Sequence, residues 1–312
     1  MFGATASGKT ALAETLFSAD PGLPPAPKPI GALRGKAEII SADSMQVYRG
    51  LDIGTAKPDS RFLRYLPHHL LDIADPREQF GAGRFVRLAD LACADVHRRG
   101  KVPVVLGGTA FYLKNFIYGL PETPEADAGI RAFLQERLAR EGAAALLAEL
   151  RSVDPESATR IHPADSYRIV RALEVWKATG RPLSAYRLPS SPRAAYRFLV
   201  IALERPREEL FSRIDSRVDA MFEQGLVEEF SGLLRSGLGP DDPGMQAIGY
   251  REFFLSSPPG SDREGARTAI KRDSRLYAKR QETFFRPLPD VGRFAADDAG
   301  GIAAAIHSFL GT

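Results

Sequence analysis

The sequence contains a single cysteine, Cys93, in 312 residues. One thiol makes no internal disulfide, and a structural zinc site ordinarily draws on several Cys or His ligands. Cys93 lies in Leu91-Ala92-Cys93-Ala94, a helical stretch, and reads as a small buried residue. Long apolar runs are also missing. Nothing approaches the roughly 18 residues that a transmembrane helix needs, so no membrane partner is expected. The start, Met1-Phe2-Gly3-Ala4-Thr5, lacks the basic stretch and apolar core of a signal peptide. A cytoplasmic protein is the expectation, with a monomer as the working unit. Excess charge of one sign is scarce too: the net charge is +3 and the pI about 9.0. That mild basicity does not identify a nucleic-acid binder. Lysine is rare, 9 of the 42 basic residues, against 33 arginines. Coding bias explains this as readily as arginine's bidentate grip on phosphate.

What is present is ordinary for a soluble globular chain: 44% hydrophobic and 26% charged residues. The length allows one large domain or two modest ones. A glycine-rich loop opens the chain and runs into a helix from Gly8 to about Ser18. The proline-rich stretch from Pro21 to Pro29 reads as a loop, neither helix nor interior strand. Strands are expected at Glu38-Ile39-Ile40-Ser41, at Leu70-Leu71-Asp72-Ile73 and at Val102-Pro103-Val104-Val105-Leu106, with a helix from Phe85 to Arg99. Strand, helix, strand alternation indicates an α/β fold with a parallel sheet. From Asp127 to Gly180 only helices are expected. The last of them is capped by Asp165, stopped by Gly180 and Pro182, and carries Ile169, Leu173 and Trp176 on one face. Phe198-Leu199-Val200-Ile201-Ala202-Leu203 returns to strand. The organisation is therefore an α/β core of residues 1–120 and 193–312, interrupted by a helical insertion at 121–192.

Gly3-Ala4-Thr5-Ala6-Ser7-Gly8-Lys9-Thr10 fits G-x-x-x-x-G-K-[ST]. Its backbone N–H groups can curl around phosphate oxygens. Lys9 adds charge, Thr10 can ligate Mg²⁺, and the following helix N-terminus favours anions. The motif implies a diphosphate or triphosphate, not a reaction. Asp43 closes a strand near this loop, where the ligand crevice of an open α/β sheet lies. It can hold metal, act as general base or simply cap a turn. Gly107-Gly108-Thr109 follows another strand, and glycines there serve close ligand approach or turn geometry equally well. Arg213 and Arg217 share one helix face and can clamp a diphosphate or pair with Glu209 and nearby acids. From Arg267 to Arg286 there are seven basic residues against two acidic ones. In a helix, Arg267, Lys271, Arg272, Arg275, Lys279 and Arg286 fall within about 140° of one another, opposite Ala266, Ile270, Tyr277 and Phe284. A polyanion partner is slightly favoured over a solvated face. Arg168 and Arg171 form a smaller basic cluster on the insertion.

Together these motifs resemble the tRNA dimethylallyltransferases, also called tRNA isopentenyltransferases. The resemblance runs nearly end to end. It rests on Gly3–Thr10, on Ile39 to Tyr48 with Asp52-Ile53-Gly54-Thr55-Ala56-Lys57-Pro58, on His69-Leu70-Leu71-Asp72 and on Gly107-Gly108-Thr109. Further on it rests on Ile161-His162-Pro163, Arg171-Ala172-Leu173-Glu174, Gln246-Ala247-Ile248-Gly249-Tyr250-Arg251 and Lys279-Arg280-Gln281. It implies a P-loop-kinase-like core with a helical insertion. The phosphate loop would hold dimethylallyl diphosphate, and the acceptor would be N6 of the adenosine at position 37 of tRNA, in the anticodon stem-loop. By the same resemblance Asp43 is the general base, Thr109 a channel residue near the reaction and Arg217 a diphosphate ligand. The implied tRNA contacts are Asp43, Ser44, Met45 and Gln46; Tyr167, Arg168, Ile169, Val170 and Arg171; the six residues from Gln246 to Arg251, namely Gln246, Ala247, Ile248, Gly249, Tyr250 and Arg251; and Lys279, Arg280, Gln281, Glu282, Thr283, Phe284, Phe285 and Arg286.

The chain departs from the family pattern twice. Ala4 stands where proline is usual, at a position whose contacts are mostly main-chain. Only Met1 and Phe2 precede the loop, where an apolar strand is usual, so the strand is expected to be missing and the natural chain to begin upstream. Rival functions share parts of this pattern. An adenylate isopentenyltransferase would not need the basic helix or the full insertion, a P-loop kinase would consume ATP, and a non-catalytic RNA-binding module leaves the phosphate loop and Asp43 unexplained.

Overall fold

The computed structural model describes residues 1–121, 123, 124, 127–186 and 189–311. The elements in chain order are β1 (Phe2–Gly3), α1 (Lys9–Phe17), α2 (Lys28–Gly31), β2 (Ala37–Ala42), α3 (Ser60–Tyr65), β3 (His68–His69), α4 (Ala82–Arg98), β4 (Val102–Gly107), α5 (Ala110–Tyr118), α6 (Ala128–Val153), α7 (Pro155–Arg160), α8 (Ser166–Thr179), β5 (Val200–Glu204), α9 (Arg207–Glu223), α10 (Leu226–Arg235), α11 (Arg263–Phe285), β6 (Val291–Ala295) and α12 (Ala299–Leu310). The chain forms two compact units, residues 1–117 with 195–312, and residues 118–194. No helix among the described residues is long and apolar enough to cross a membrane.

The first unit is built on a six-stranded sheet of order β3-β2-β4-β1-β5-β6, with every pairing parallel. Parallel strands are covered on both faces, and the sequence of β2 shows why. Ile40 and Ala42 point into one core, with Phe85, Val86 and Ala89 of α4, while Ala37 and Ile39 point into the other, with Leu12 and Leu16 of α1 and Ile302 of α12. β5 repeats the alternation, Ala202 to the first core and Ile201 and Leu203 to the second. The apolar residues of α4 recur with helical period, so one stripe is buried and the other face is wet.

Three local expectations are corrected. The strand before the phosphate loop is present, though short. Phe2 pairs with Gly107 on one side and Ala202 on the other, and Gly3 pairs with Leu203. Phe2 is 2% exposed and stacks on Phe285 at 4.0 Å, while the Met1 amino group donates to the Val105 carbonyl at 2.8 Å. Second, residues 70–73 are not a strand: Leu70 and Asp72 have φ of 67° and 55°, and the pairing with β2 ends at His69, with one isolated bridge following between Tyr48 and Ala74. Third, Lys28–Gly31 forms one helical turn with Pro29 at its start, where proline's missing N–H costs nothing. β6 and α12 carried no signal strong enough to be read from sequence.

The second unit packs α6, α7 and α8 around Leu134, Leu146, Leu150, Ile169 and Leu173. Asp127, Asp154 and Asp165 cap the three helices by accepting from the amides of Ile130, Ser157 and Arg168. Glu174, 1% exposed, is neutralised by Arg131 at 2.9 Å and Arg171 at 3.2 Å.

Candidate active site

The phosphate loop is shaped by two left-handed residues, Ala6 at φ 61° and Gly8 at φ 102°. Gly8 is the N-cap of α1 and provides no side-chain cap, so the first N–H groups of the helix remain open to an anion. Lys9 folds inward and donates to the carbonyls of Gly3 at 2.9 Å and Ala4 at 2.8 Å. Burial of its ammonium lowers its pKa to about 7; the Arg217 charge pushes the same way and Asp43 opposes. Arginines hold the outside of the loop. Arg205 donates to the Ser7 carbonyl at 3.0 Å, Arg213 to the Ala6 carbonyl at 3.0 Å, and Arg217 to the Thr5 hydroxyl at 3.5 Å. Glu209 pairs with Arg205, so among the described residues Arg213 and Arg217 keep no carboxylate partner. Arg217 retains solvent-facing surface, yet the protein packed around its guanidinium lowers its pKa, and the neighbouring Arg213 charge adds to this. Lys9, Arg213 and Arg217 thus form a cationic cradle that an anion would relieve.

The strand ends meet this cradle. Asp43 follows β2, and its Oδ1 accepts from the amides of Met45 at 2.9 Å and Gln46 at 3.3 Å, which fixes the carboxylate on its turn. Gly107 approaches Ala42 so closely that a Cβ on it would lie 2.2 Å from the Ala42 carbonyl oxygen. That approach brings Thr109 to Ser44, whose amide donates to the Thr109 hydroxyl at 2.9 Å. Gln46 is braced by donating to the carbonyls of Thr55 and Ala56. That loop in turn hangs on Glu229, which accepts from the amides of Asp52, Ile53 and Gly54 and from the Tyr250 hydroxyl at 2.6 Å.

These parts enclose a cavity of about 420 Å³. Its polar lining includes Thr5, Asp43 and Arg217 beside the loop, and also Arg251, Asp273 and Arg280, and its apolar lining includes Met45, Ile214, Val218, Met221 and Ile248, with Tyr277. The structure therefore brings together Asp43, Ser44, Met45, Gln246, Ala247, Ile248, Arg251, Arg217 and Arg280, from four separate sequence stretches. Thr109 does not line the cavity; it holds the Ser44 amide and meets the hydroxyl of the cavity-lining Tyr277.

Other residues of those stretches are placed differently. Tyr250 is fully buried as a prop for Glu229 and Gly54. Gly249 is buried, and Phe285 lies under Phe2. Phe284 lies beneath Lys114, and Lys279 sits over Phe211. Glu282 and Arg286 line a separate cavity on the other side of the phosphate loop, and Thr283 bonds back to the Lys279 carbonyl. In the second unit Tyr167 and Arg168 are exposed, but the side chains of Ile169 and Val170 are core, and Arg171 is held by Glu174 and the Pro124 carbonyl.

The cationic face expected on α11 is largely consumed. Lys271 pairs with Asp219 at 2.6 Å, Arg275 with Asp215, and Arg267 lies 4.0 Å from Asp219. The partners stand on α9, so a wheel drawn for α11 alone does not show them. Sequence reading missed Tyr277 and the true setting of Gln281. Tyr277, expected on the packed side of α11, faces inward but onto a cavity. Its phenol is raised to about 12 by burial and by the charge of Asp43. The spacing of Tyr277 and Gln281, one helical turn apart, was the available signal.

A family model described as IPP transferase matches residues 46–287. The chain is 44% identical to the tRNA dimethylallyltransferase of Geobacter sulfurreducens over 93% of its length and 88% of that protein. It is 45% identical to tRNA dimethylallyltransferase 1 of Trichlorobacter lovleyi over 99% of its length and 96% of that protein. Its fold is similar to that of the tRNA isopentenylpyrophosphate transferase of Bacillus halodurans, with a TM-score of 0.65, 36% identity and coverage of 99% and 94% of the two chains. A eukaryotic dimethylallyltransferase, solved acting on tRNA, superposes with a TM-score of 0.74 at 26% identity, covering 99% of this chain and 76% of that one. With its phosphate loop on a central parallel strand and a carboxylate at the neighbouring strand end, the chain belongs to the tRNA dimethylallyltransferase, or IPP transferase, family.

Proposed function

We propose that this protein transfers the dimethylallyl group of dimethylallyl diphosphate to N6 of the adenosine at position 37 of tRNA, next to the anticodon. The observation that carries this reading is one cavity with a cationic anion cradle and a fixed carboxylate at the same end, in a chain of this family. The bond between C1 of the dimethylallyl group and the diphosphate oxygen breaks, and a bond from N6 to C1 forms. Lys9, Arg217 and the open amides of the loop and α1 take the leaving charge. Asp43 accepts the proton of N6, whose lone pair is otherwise delocalised into the ring. Ile214, Val218, Met221 and Ile248 give the isoprenoid tail an apolar berth and keep water from the allylic carbon. The acceptor base must leave its stack to enter, which suits an anticodon loop.

Among the described residues no three His, Cys, Asp or Glu side chains converge on a metal position. Thr10, exposed on the first turn of α1 beside the open loop amides, would hold a Mg²⁺ together with the donor's phosphate oxygens, the sparse protein coordination this ion accepts. Such an ion would supply charge neutralisation at the leaving group. The test is mass spectrometry of nucleosides from unmodified tRNA incubated with the protein and dimethylallyl diphosphate. N6-dimethylallyladenosine at position 37 is expected. Prenylation of free AMP in place of tRNA, or consumption of ATP, would move the protein to a different function.

A further inference from the structure

Gln281 lies between the two halves of the site and is 3% exposed. Its Oε1 accepts from the Thr5 amide at 2.8 Å, and its Nε2 donates to the Gly108 carbonyl at 2.7 Å. These partners fix which way the amide faces, since a backbone N–H only donates and a carbonyl only accepts. The fit also requires glycine at 108, where a Cβ would come within 2.5 Å of the Gln281 nitrogen. Thr5 belongs to the loop that cradles the leaving group. Gly108 precedes Thr109, which holds the Ser44 amide at 2.9 Å, and Ser44 follows Asp43 in the turn that orients its carboxylate. A continuous path of hydrogen bonds and short backbone steps thus runs from the anion cradle to the carboxylate, with Gln281 bridging phosphate loop and glycine turn and the Tyr277 hydroxyl reaching both Gln281 and Thr109 beside it.

We propose that Gln281 is a positioning residue for the transfer reaction, setting the separation of the phosphate loop from the turn that aligns Thr109 and Asp43. The assignment rests on the function proposed above. It replaces the tRNA contact that family resemblance implies for this residue, because a buried amide with both ends engaged has nothing to offer RNA. Bond formation requires the allylic carbon and N6 to meet within a narrow window, and a misplacement of about 1 Å costs about 10²-fold in rate. Loss of the bridge should therefore appear in kcat rather than in affinity.

Two variants test this. Gln281→Leu removes both backbone bonds, and the contact with the Tyr277 hydroxyl, at similar volume. Gln281→Glu keeps an acceptor for Thr5 but sets a carboxylate oxygen against the Gly108 carbonyl. Turnover on tRNA is measured per site, with sites counted by binding of labelled inorganic pyrophosphate, so misfolded chains do not enter the rate. Both variants should lose about 10–100-fold in kcat, with pyrophosphate affinity and the KM for tRNA holding within about threefold. Adding Gln281→Leu to Thr109→Ala should slow that variant by less than about twofold more, because both act along one path. Four results overturn the assignment: kcat within about twofold of wild type, a raised KM for tRNA at preserved kcat, losses that multiply in the double variant, or variants that no longer bind pyrophosphate. A wild-type protein that binds pyrophosphate but transfers nothing to tRNA would refute the proposed function first, and this assignment with it.

Discussion

Lys9 and Asp43 sit against the same cradle with opposite electrical tasks. Asp43→Ala removes the proton acceptor but no part of the loop. Turnover should drop about 10²–10⁴-fold, the usual worth of general acid–base catalysis, while pyrophosphate affinity changes a few-fold at most. Steady-state turnover beside pyrophosphate inhibition checks this, and turnover within a few-fold of wild type would remove Asp43 from the reaction. Lys9 gives a pH dependence whose sign follows from its environment. In the empty protein its pKa is lowered to about 7, whereas a free lysine titrates near 10.5. Between those values the unfolded chain binds more protons than the folded one, so this group makes the empty protein more stable as pH rises through that window, and the contribution is lost toward pH 7. Donor binding runs the other way. Diphosphate oxygens favour the ammonium, so above about pH 7 binding must take up a proton, and affinity should weaken by up to about tenfold per pH unit. Lys9→Arg keeps its charge throughout and should flatten that limb. Equal pH profiles for wild type and Lys9→Arg, read by donor titration, would show that Lys9 enters binding already charged.

At the level of elements, α11 carries the largest gap between sequence and structure. Its helical extent was legible, because twenty residues of consistent period leave little choice. Its charge was legible only as a count. The acids that neutralise Lys271 and Arg275 stand on α9, more than fifty positions earlier, and no local pattern connects them. Neutralising Lys271 or Arg275 should therefore leave the salt dependence of tRNA binding unchanged and alter stability by about 1 kcal/mol or less each. Arg280 is exposed at the cavity and pairs with no carboxylate among the described residues. Arg280→Ala should flatten the slope of log K against log salt by about 0.7, the value for one contact with single-stranded phosphate. A slope that responds to Lys271 or Arg275 instead would mean that the ion pairs with α9 open when RNA binds. The Asp43 turn was more legible than α11, since a buried strand, a carboxylate and a phosphate loop are all local signals. The Glu229 anchor beneath it was not, because a glutamate on a helix gives no sign that three loop amides will close on it.

For the molecule as a whole, the sheet decides whether these parts meet. Fold class and three of the six strands, β2, β4 and β5, could be read from alternation of period and from punctuation by glycine and proline. The central strand could not, because two residues are too few to show any period. Its position nonetheless sets the site. Phe2 fills the slot between β4 and β5 and lies against Phe285 at the end of α11, so one ring joins the sheet, the phosphate loop and the helix that carries Gln281. Phe2→Ala should leave a cavity at that junction and cost about 3–5 kcal/mol, a large share of the roughly 5–15 kcal/mol by which a domain is stable. Because Gly3 is the next residue, donor affinity should fall together with stability, even under conditions where the variant remains folded. Denaturant unfolding and pyrophosphate titration of the same preparation test the coupling. A stability loss below about 1 kcal/mol would mean that β4 and β5 hold their places without β1. A full stability loss with unchanged pyrophosphate affinity would mean that the grip of Arg205 and Arg213 on the loop carbonyls, and of Arg217 on the Thr5 hydroxyl, is enough to set the cradle by itself.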